Sequence, residues 1–184
     1  CCGMLLPSGN DAANAAAVRV AGSIGKFVQL MNKKAEQLEL NDTHFVTPSG
    51  LDDDTDEHYS NAADMAKLAA EAMKNEDFRA ICHLEMVELC YGNPPYDRWL
   101  FNSYKLLYSC EGFVGVKTGF TDKARRCLVS ACDRKNKELI CVTLNAPDDW
   151  NDHSKLYDHC FDFVSKQKLP LDKSSFEIGR ASCR

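Results

Sequence analysis

Apolar positions in the first part of the chain recur every three or four residues, which is the spacing of buried faces on helices. An alanine-rich segment from Asn10 to Val20 predicts one helix, and Gly22 and Ser23 then end it and cap a second. The second helix carries one apolar stripe, which we expect to be buried. Its members are Ile24, Phe27, Val28, Leu30, Met31, Ala35 and Leu38.

An acidic segment, residues 41–59, separates these helices from a third. The run from Asp52 to Asp54 predicts a solvated face, since a block of like charges is usually hydrated. Ser60 is placed to cap a helix that runs to about Met73. The predicted inner face of that helix consists of Ala63, Met65, Ala66, Ala69 and Met73.

The second half of the chain changes to the two-residue period of strands. Three predicted strands cover Val114 to Lys117, Cys127 to Cys132 and Leu139 to Leu144. Short polar connections favour an antiparallel meander. A last helix follows from Trp150 to Val164, and its predicted apolar side is Leu156, Cys160, Phe161 and Val164.

These elements predict a mixed α and β fold. A helical lobe over about 3–110 precedes a sheet and a covering helix over 111–168, and the tail 169–184 has no assigned role. A length of 184 residues suits one domain. The formal net charge of −5, without a basic stripe, argues against a nucleic-acid partner. No apolar run approaches the roughly 20 residues that span a bilayer.

Ten cysteines are many for this length, yet none forms a C-x-x-C pair, so a zinc ribbon is not indicated. Cys127, Cys132 and Cys141 fall in apolar stretches, where a free thiol packs as a small hydrophobe, with disulfides as the open alternative. The histidines show no metal-ligand spacing. We therefore predict no metal and no cofactor.

Two short motifs carry the candidate chemistry: Ser8-Gly9-Asn10 near the start and Lys117-Thr118-Gly119 in the first predicted strand. A serine hydroxyl beside a lysine can move a proton, and the lysine can hold a carboxylate. A tripeptide alone is a weak signal. The flanking sequences decide how much weight these two deserve.

Those flanks closely resemble the serine-type D-alanyl-D-alanine carboxypeptidases, low-molecular-mass penicillin-binding proteins of peptidase family S11. The similar stretches, in family order, are GMLLPSGNDAANAAA, THFVTPSGLDDDTDEHYSNAADMAKLA, GVKTGFTDKARRCLVSA and ICVTLNAPDDWNDHSKLYD. The resemblance implies a β-lactamase/transpeptidase-like α/β (α+β) fold. It also implies removal of the terminal D-alanine from peptidoglycan stem peptides through an acyl-enzyme, with β-lactam antibiotics as inhibitors.

The family uses a third element, Ser-x-x-Lys, which supplies the nucleophile upstream of the other two. We treat it as absent, because we expect no serine of the chain to have a lysine three residues on and because Ser8 is too close to the start for an upstream copy. The expectation is therefore an N-terminally truncated catalytic domain that lacks the first strands and the nucleophile helix and is inactive alone. An extracytoplasmic location is implied, and membrane association of the parent protein is left open.

The resemblance also assigns roles. Ser8, Asn10 and Lys117 would be catalytic, with Ser8 relaying a proton and Asn10 holding the substrate peptide. Substrate binding would fall to Lys117, Thr118 and Gly119. Phe120 would add a backbone N–H to the oxyanion hole.

Two departures from the family pattern are visible. Arg125 stands where the family usually has glycine, and we expect it to crowd the edge of the cleft. The carboxylate-binding arginine that some members carry after the third strand is missing, so recognition rests on Lys117 and Thr118. His153 is interpreted as a surface residue near a helix start, with a part in carboxylate binding as the alternative.

Asn102 and Tyr104 match a family position in the cleft wall, and for Tyr104 we favour core packing. Two other functions stay open. One is a non-catalytic fragment that binds D-alanyl ends or penicillin. The other is a β-lactamase-like hydrolase, which the carboxypeptidase-like segment 41–74 disfavours.

Overall fold

The chain forms a helical block first and then a block of antiparallel strands with a last helix. The computed structural model describes residues 1–52, 54–108 and 111–165. The helices are α1 Cys2–Leu5, α2 Asn10–Ala21, α3 Ile24–Gln37, α4 Ala62–Ala72, α5 Glu76–His83 and α6 Asp149–Phe163. The strands are β1 Met86–Tyr91, β2 Tyr96–Phe101, β3 Phe113–Thr121, β4 Arg125–Arg134 and β5 Lys137–Thr143, with a 3-10 turn at Lys105–Tyr108. The predicted tail 169–184 lies outside the described residues.

The helix ends follow from local chemistry, with one correction. Gly22 ends α2 at a φ of +79°, and the Ser23 hydroxyl caps α3 by accepting a hydrogen bond from the Lys26 backbone N–H, as predicted. The cap of α4 is Asn61, not Ser60: its side chain accepts from the Asp64 N–H at 2.8 Å. The Ser60 hydroxyl is engaged elsewhere, 2.8 Å from the Thr43 hydroxyl.

The predicted buried faces of α3 and α4 are partly wrong. In α3, Ile24 and Leu30 are 40% and 49% exposed, because α3 packs mainly on α2. In α4, Ala63 is exposed while Asp64 is buried, since Asp64 accepts hydrogen bonds from the Asp42 N–H and the Thr43 hydroxyl. Apolar spacing therefore located the helices but did not say what covers each face.

The main sheet is the predicted antiparallel meander, in the order β3-β4-β5. Lys117 lies opposite Val129 in this sheet, and Val129 lies opposite Val142. β3 is an edge strand of the sheet, which leaves its other side open to the helical block. Each strand is longer than its predicted counterpart.

A two-stranded sheet and a helix inside the predicted helical lobe were missed. β1 and β2 pair antiparallel, with Met86 opposite Phe101 and Tyr91 opposite Tyr96. The hairpin escaped prediction because both of its faces mix apolar and charged residues, and Met86, Trp99 and Phe101 are about half exposed. α5 precedes it and packs against β3.

Two apolar clusters hold the blocks together. The first lies between the sheet and α6 and contains Tyr104, Leu106, Phe113, Leu128, Cys132 and Tyr157. The second lies between the sheet and the helices α4 and α5 and contains Met73, Cys82, Val114, Val116 and Ala131. The edge strand β3 is thus fixed from both sides along its first half.

The acidic segment is not simply a solvated face. Asp52 is only 6% exposed, and its carboxylate accepts a hydrogen bond from the Thr121 hydroxyl at 3.1 Å. Lys123 donates to the Thr55 carbonyl at 3.0 Å and to the Asp56 carboxylate at 2.9 Å. These contacts tie the segment to the turn between β3 and β4. Asp54 is exposed, as expected, and Asp53 lies outside the described residues.

The cysteines within the described residues are all free thiols. Cys132 is buried, as its apolar surroundings predicted, while Cys127 and Cys141 are half-buried. Cys110 and Cys183 lie outside the described part of the chain. No helix in that part is long and apolar enough to cross a membrane.

The buried side of α6 combines apolar packing with a polar network, which corrects the predicted face. His153 is 0% exposed, whereas Leu156 is 44% exposed. The His153 Nδ1 lies 2.6 Å from the Ser130 hydroxyl, and its Nε2 lies 2.9 Å from the Thr143 hydroxyl. The Tyr157 hydroxyl lies 2.7 Å from the same Ser130 oxygen. His153 is therefore a structural residue on the buried face of α6 and not a surface residue.

We expect His153 to make folding stability fall in mild acid. Burial, partly opposed by the charges of Asp149 and Asp152, lowers the pKa of His153 from 6.5 to about 4. Below pH 6.5 the unfolded chain binds a proton that the native protein refuses until about pH 4, so the free energy of unfolding decreases over that window. At 1.36 kcal/mol per pKa unit, the loss reaches about 2 kcal/mol at pH 5.

Urea unfolding at pH 7.5 and pH 5.0 measures this loss. The wild-type protein should lose about 2 kcal/mol more between the two conditions than the His153→Gln variant, whose side chain does not titrate. Equal pH dependence in both proteins would show that His153 stays solvated in solution.

Candidate active site

The two motifs meet in space although 109 residues separate them. The Lys117 ammonium donates a hydrogen bond to the Ser8 hydroxyl at 2.6 Å. Ser8 lies between α1 and α2 with a φ of +59°, a conformation that residues other than glycine rarely adopt. Backbone strain of this kind concentrates at functional sites.

Lys117 lies in the second half of β3, just after the residues that pack in the two apolar clusters. Gly115 lets β3 approach α5 closely, since a Cβ on Gly115 would lie 2.9 Å from the Cys82 Cβ. Burial lowers the pKa of Lys117 below its usual 10.5, with the nearby Cys82 acting in the opposite direction. The ammonium also donates to the Thr118 carbonyl at 2.7 Å.

No carboxylate within the described residues pairs with Lys117, although its side chain is half-buried. A lysine in such surroundings usually has an acidic partner. An ammonium that keeps a free donor, beside a serine hydroxyl, can bind the carboxylate of a ligand and favour loss of the serine proton.

Asn10 stands at the start of α2 and is exposed. Gly9, which precedes it, is anchored by a hydrogen bond from its N–H to the Gly3 carbonyl at 3.0 Å. No hydrogen bond within the described part of the chain joins the Asn10 amide to Ser8 or Lys117. Its assigned role in holding substrate therefore stays a prediction.

The residues after Lys117 line an open strand edge. The Thr118 hydroxyl lies 3.1 Å from the Ser103 hydroxyl. Gly119 is exposed, and a Cβ there would make only ordinary contact, 3.6 Å from the Cys127 Cβ. The packing of the fold therefore does not require glycine at this position. Phe120 follows with its side chain 63% exposed.

Ser103 is a site residue that the sequence did not indicate. Its N–H donates to the Leu6 carbonyl at 3.1 Å, which joins this segment to the one that carries Ser8. Asn102 holds the same segment by donating from its amide to the Cys82 and Leu84 carbonyls at 3.1 and 2.9 Å. The only sequence feature that could have indicated Ser103 was its position next to Asn102.

Tyr104 packs in the core, as predicted. It is 2% exposed and meets the Trp150 ring edge to face, with 5.4 Å between ring centres. Asn102, by contrast, donates hydrogen bonds to carbonyls at the end of α5, and its part in the cleft wall stays a prediction. Asn102 and Tyr104, which matched one family position, therefore make different kinds of contact.

Arg125 does not crowd the strand edge as expected. Its side chain is 59% exposed, and its guanidinium carbon lies 6.0 Å from the centre of the Phe120 ring. The backbone takes a φ of +59° at the start of β4. The next residue, Arg126, pairs with the buried Asp149 at 2.7 Å and belongs to the support of α6.

The Ser-x-x-Lys element that we treated as absent does have matches in spacing. Ser23 precedes Lys26 by three residues, and Ser165 precedes Lys168, so the expectation that the spacing is missing was wrong. The Ser23 hydroxyl is the cap of α3, receives the Lys26 backbone N–H at 3.3 Å and is exposed. Lys168 lies outside the described residues. No hydrogen bond of the described chain connects Ser23 to Lys117 or Ser8.

Comparison with known proteins agrees with this geometry. Residues 1–148 match the family model described as D-alanyl-D-alanine carboxypeptidase. The chain belongs to the D-alanyl-D-alanine carboxypeptidase family. It is 34% identical to the D-alanyl-D-alanine carboxypeptidase DacF of Bacillus subtilis over 99% of this chain and 46% of that protein. It is 33% identical to DacB2 of Mycobacterium tuberculosis over 86% of this chain and 56% of that protein.

Solved structures show the same fold for this member of the carboxypeptidase family. The DD-transpeptidase of Streptomyces K15 superposes with a TM-score of 0.82 at 31% identity, covering 88% of this chain and 66% of that one. A D-alanyl-D-alanine carboxypeptidase of Mycobacterium tuberculosis gives 0.81 at 32% identity, covering 90% and 64%. The predicted transpeptidase-like fold class is confirmed. The chain spans about half the length of the curated relatives it matches.

Proposed function

We propose that the chain forms the substrate-binding part of a serine-type D-alanyl-D-alanine carboxypeptidase. The protein would remove the terminal D-alanine from peptidoglycan stem peptides through an acyl-enzyme. The observation that carries this proposal is the contact of 2.6 Å between the Lys117 ammonium and the Ser8 hydroxyl, at a half-buried lysine without a carboxylate partner in the described structure.

The proposed chemistry divides between the two motifs. Lys117 and the Thr118 hydroxyl bind the carboxylate of the terminal D-alanine. A serine hydroxyl outside this pair attacks the carbonyl of the preceding D-alanine, and its proton passes through Ser8 to the nitrogen of the departing D-alanine. Water then hydrolyses the ester. The attacking serine is not among the residues that the geometry joins to Lys117.

Asn10 and Phe120 complete the proposed site. The Asn10 amide would hold a peptide group of the bound stem, and the Phe120 backbone N–H would donate to the developing oxyanion. Because the strand edge at Gly119 is open, an extended peptide can lie against β3 there.

The family supports a place outside the cytoplasmic membrane, where stem peptides are exposed. β-Lactam antibiotics, which acylate the same kind of serine, would be inhibitors. Fractionation of cells that express the complete gene product measures whether the whole protein associates with the membrane.

The test uses the complete gene product with diacetyl-L-lysyl-D-alanyl-D-alanine, and the same peptide ending in two L-alanines as the control. We expect release of D-alanine from the first peptide alone. Labelled penicillin should form an adduct whose mass maps to a serine other than Ser8. An adduct on Ser8 would show that its role is the attack itself.

Other outcomes of the same experiment separate the remaining candidates. Binding of the D-alanyl peptide without release or adduct would favour a non-catalytic binding protein. Rapid conversion of penicillin to penicilloate with no release of D-alanine would favour a β-lactamase. Neither binding nor release would exclude the whole proposal.

A further inference from the structure

The direction in which a bound peptide leaves the site follows from the burial along β3. If its terminal carboxylate lies at Lys117 and Thr118, as the proposed function has it, the remaining residues run along the open edge of the strand. Val114 and Val116 on one side are buried beneath α5. Gly119 and Phe120 on the other side are exposed, so the upstream part of the peptide passes them.

Phe120 and Arg125 stand at the end of that path. Arg125 is paired with Thr121, the last residue of β3, and its guanidinium lies 6.0 Å from the Phe120 ring centre. Its ion pair with Asp122 is long, at 4.0 Å, and the Asp122 side chain is 93% exposed. Such a solvated pair contributes little. The guanidinium is therefore available to another anion.

The Arg125 side chain has few contacts of its own. A positive φ, +59° at Arg125, also occurs at other non-glycine residues of the chain, such as Glu39 and Lys135, so the backbone does not decide its role. Within the described residues, the contacts of the Arg125 guanidinium are the long one to Asp122 and the one to the distant ring of Phe120.

The reach of the site defines the ligand group. From Lys117 to Thr121 the strand advances four residues, about 13 Å at roughly 3.3 Å per residue. An extended peptide covers that distance in about the same number of residues. A planar guanidinium suits a carboxylate, which it can bind through two parallel hydrogen bonds, better than an uncharged amide.

We propose that Arg125, with Phe120 beside it, is a carboxylate subsite. It selects peptides with a free carboxylate on the third or fourth residue from the C-terminal D-alanine, over peptides in which that group is amidated. This subsite rests on the proposed function, because the direction of the peptide depends on the carboxylate at Lys117.

Two synthetic peptides test the subsite with the complete gene product. One is acetyl-L-Ala-γ-D-Glu-L-Lys(acetyl)-D-Ala-D-Ala, and the other carries the α-carboxamide of the same glutamyl residue. We expect kcat/KM for D-alanine release to be three- to tenfold higher for the free acid. In Arg125→Gln this ratio should fall to about one, with the amide peptide processed as by wild type.

Arg19→Gln is the matched control, since Arg19 is an exposed arginine in the last turn of α2. The Arg19→Gln variant should keep the wild-type ratio of kcat/KM between the acid and the amide peptide, whatever the salt concentration of the assay. If the enzyme releases D-alanine and Arg125→Gln leaves the ratio of the two kcat/KM values unchanged, the subsite is overturned and the proposed function stays intact. If neither peptide releases D-alanine, equilibrium binding of the two peptides decides: equal affinities overturn the subsite together with the proposed function.

Discussion

The Lys117→Ala variant of the complete gene product should release D-alanine about 10²–10³-fold more slowly in kcat/KM than wild type, the usual effect of removing one preorganised charged group. Two interactions disappear together in this variant. The contact of 2.6 Å to the Ser8 hydroxyl is lost, and so is the positive charge that faces the substrate carboxylate. Because Lys117 is half-buried, water cannot fully replace the ammonium.

Two further variants make this expectation specific. Lys155→Ala removes an exposed lysine of α6 and should stay within about twofold of wild type, as surface substitutions usually do. Lys117→Arg keeps the charge but cannot place a compact ammonium at the Ser8 oxygen, so it should lose most of the rate as well. Circular dichroism and thermal unfolding should show that both Lys117 variants remain folded.

A loss of less than tenfold in Lys117→Ala would contradict the assigned role. A large loss confined to KM would mean that Lys117 only holds the carboxylate, with no part in activating Ser8. The kcat and KM values of the three variants therefore distinguish binding from proton transfer.

The sheet was predictable from local signals, whereas the site contact was predictable from the family resemblance. Strand period and short polar turns indicated the order of β3, β4 and β5. The resemblance of the flanking sequences assigned Ser8 and Lys117 to one catalytic site, although each tripeptide alone is a weak signal. The structure places these two groups within hydrogen-bond distance.

The misjudged parts are those where partners decide the structure. His153 lies on the buried side of α6 because Ser130 and Thr143 offer it hydrogen bonds, and these residues belong to three different elements of the chain. Apolar spacing cannot show such a network, so Leu156 was placed inside although it is exposed. For the same reason Asp64 was overlooked, since its partners lie in the segment before α4.

Site details that depend on backbone conformation were also out of reach. Ser103 enters the site through its N–H bond to Leu6, a contact that no local pattern announces. Arg125 has a positive φ and a side chain that is 59% exposed, whereas a family comparison by residue type alone suggested crowding. In both cases the residue type was visible in the sequence, and its contacts were not.

The Gly115→Ala substitution should destabilise the protein by about 2–4 kcal/mol, as the sum of backbone strain and overpacking at a buried site. Gly115 has a φ of +129°, at a bulge in β3. A Cβ would lie 2.9 Å from the Cys82 Cβ and 3.0 Å from the Cys82 carbonyl oxygen, and Cys82 is 1% exposed. The Asn102 amide already holds that carbonyl, so α5 cannot easily move away.

Urea unfolding measures this effect against a matched glycine. Gly25→Ala places a Cβ in open space on α3, with nothing within 4 Å, and should stabilise the protein by up to about 1 kcal/mol. Equal and small effects of the two substitutions would show that β3 and α5 are not in tight contact. Because Lys117 is two residues beyond Gly115, a shift of β3 away from α5 also moves the ammonium from Ser8. Gly115→Ala should therefore lower the rate of D-alanine release even at temperatures where the variant remains folded, while Gly25→Ala should not.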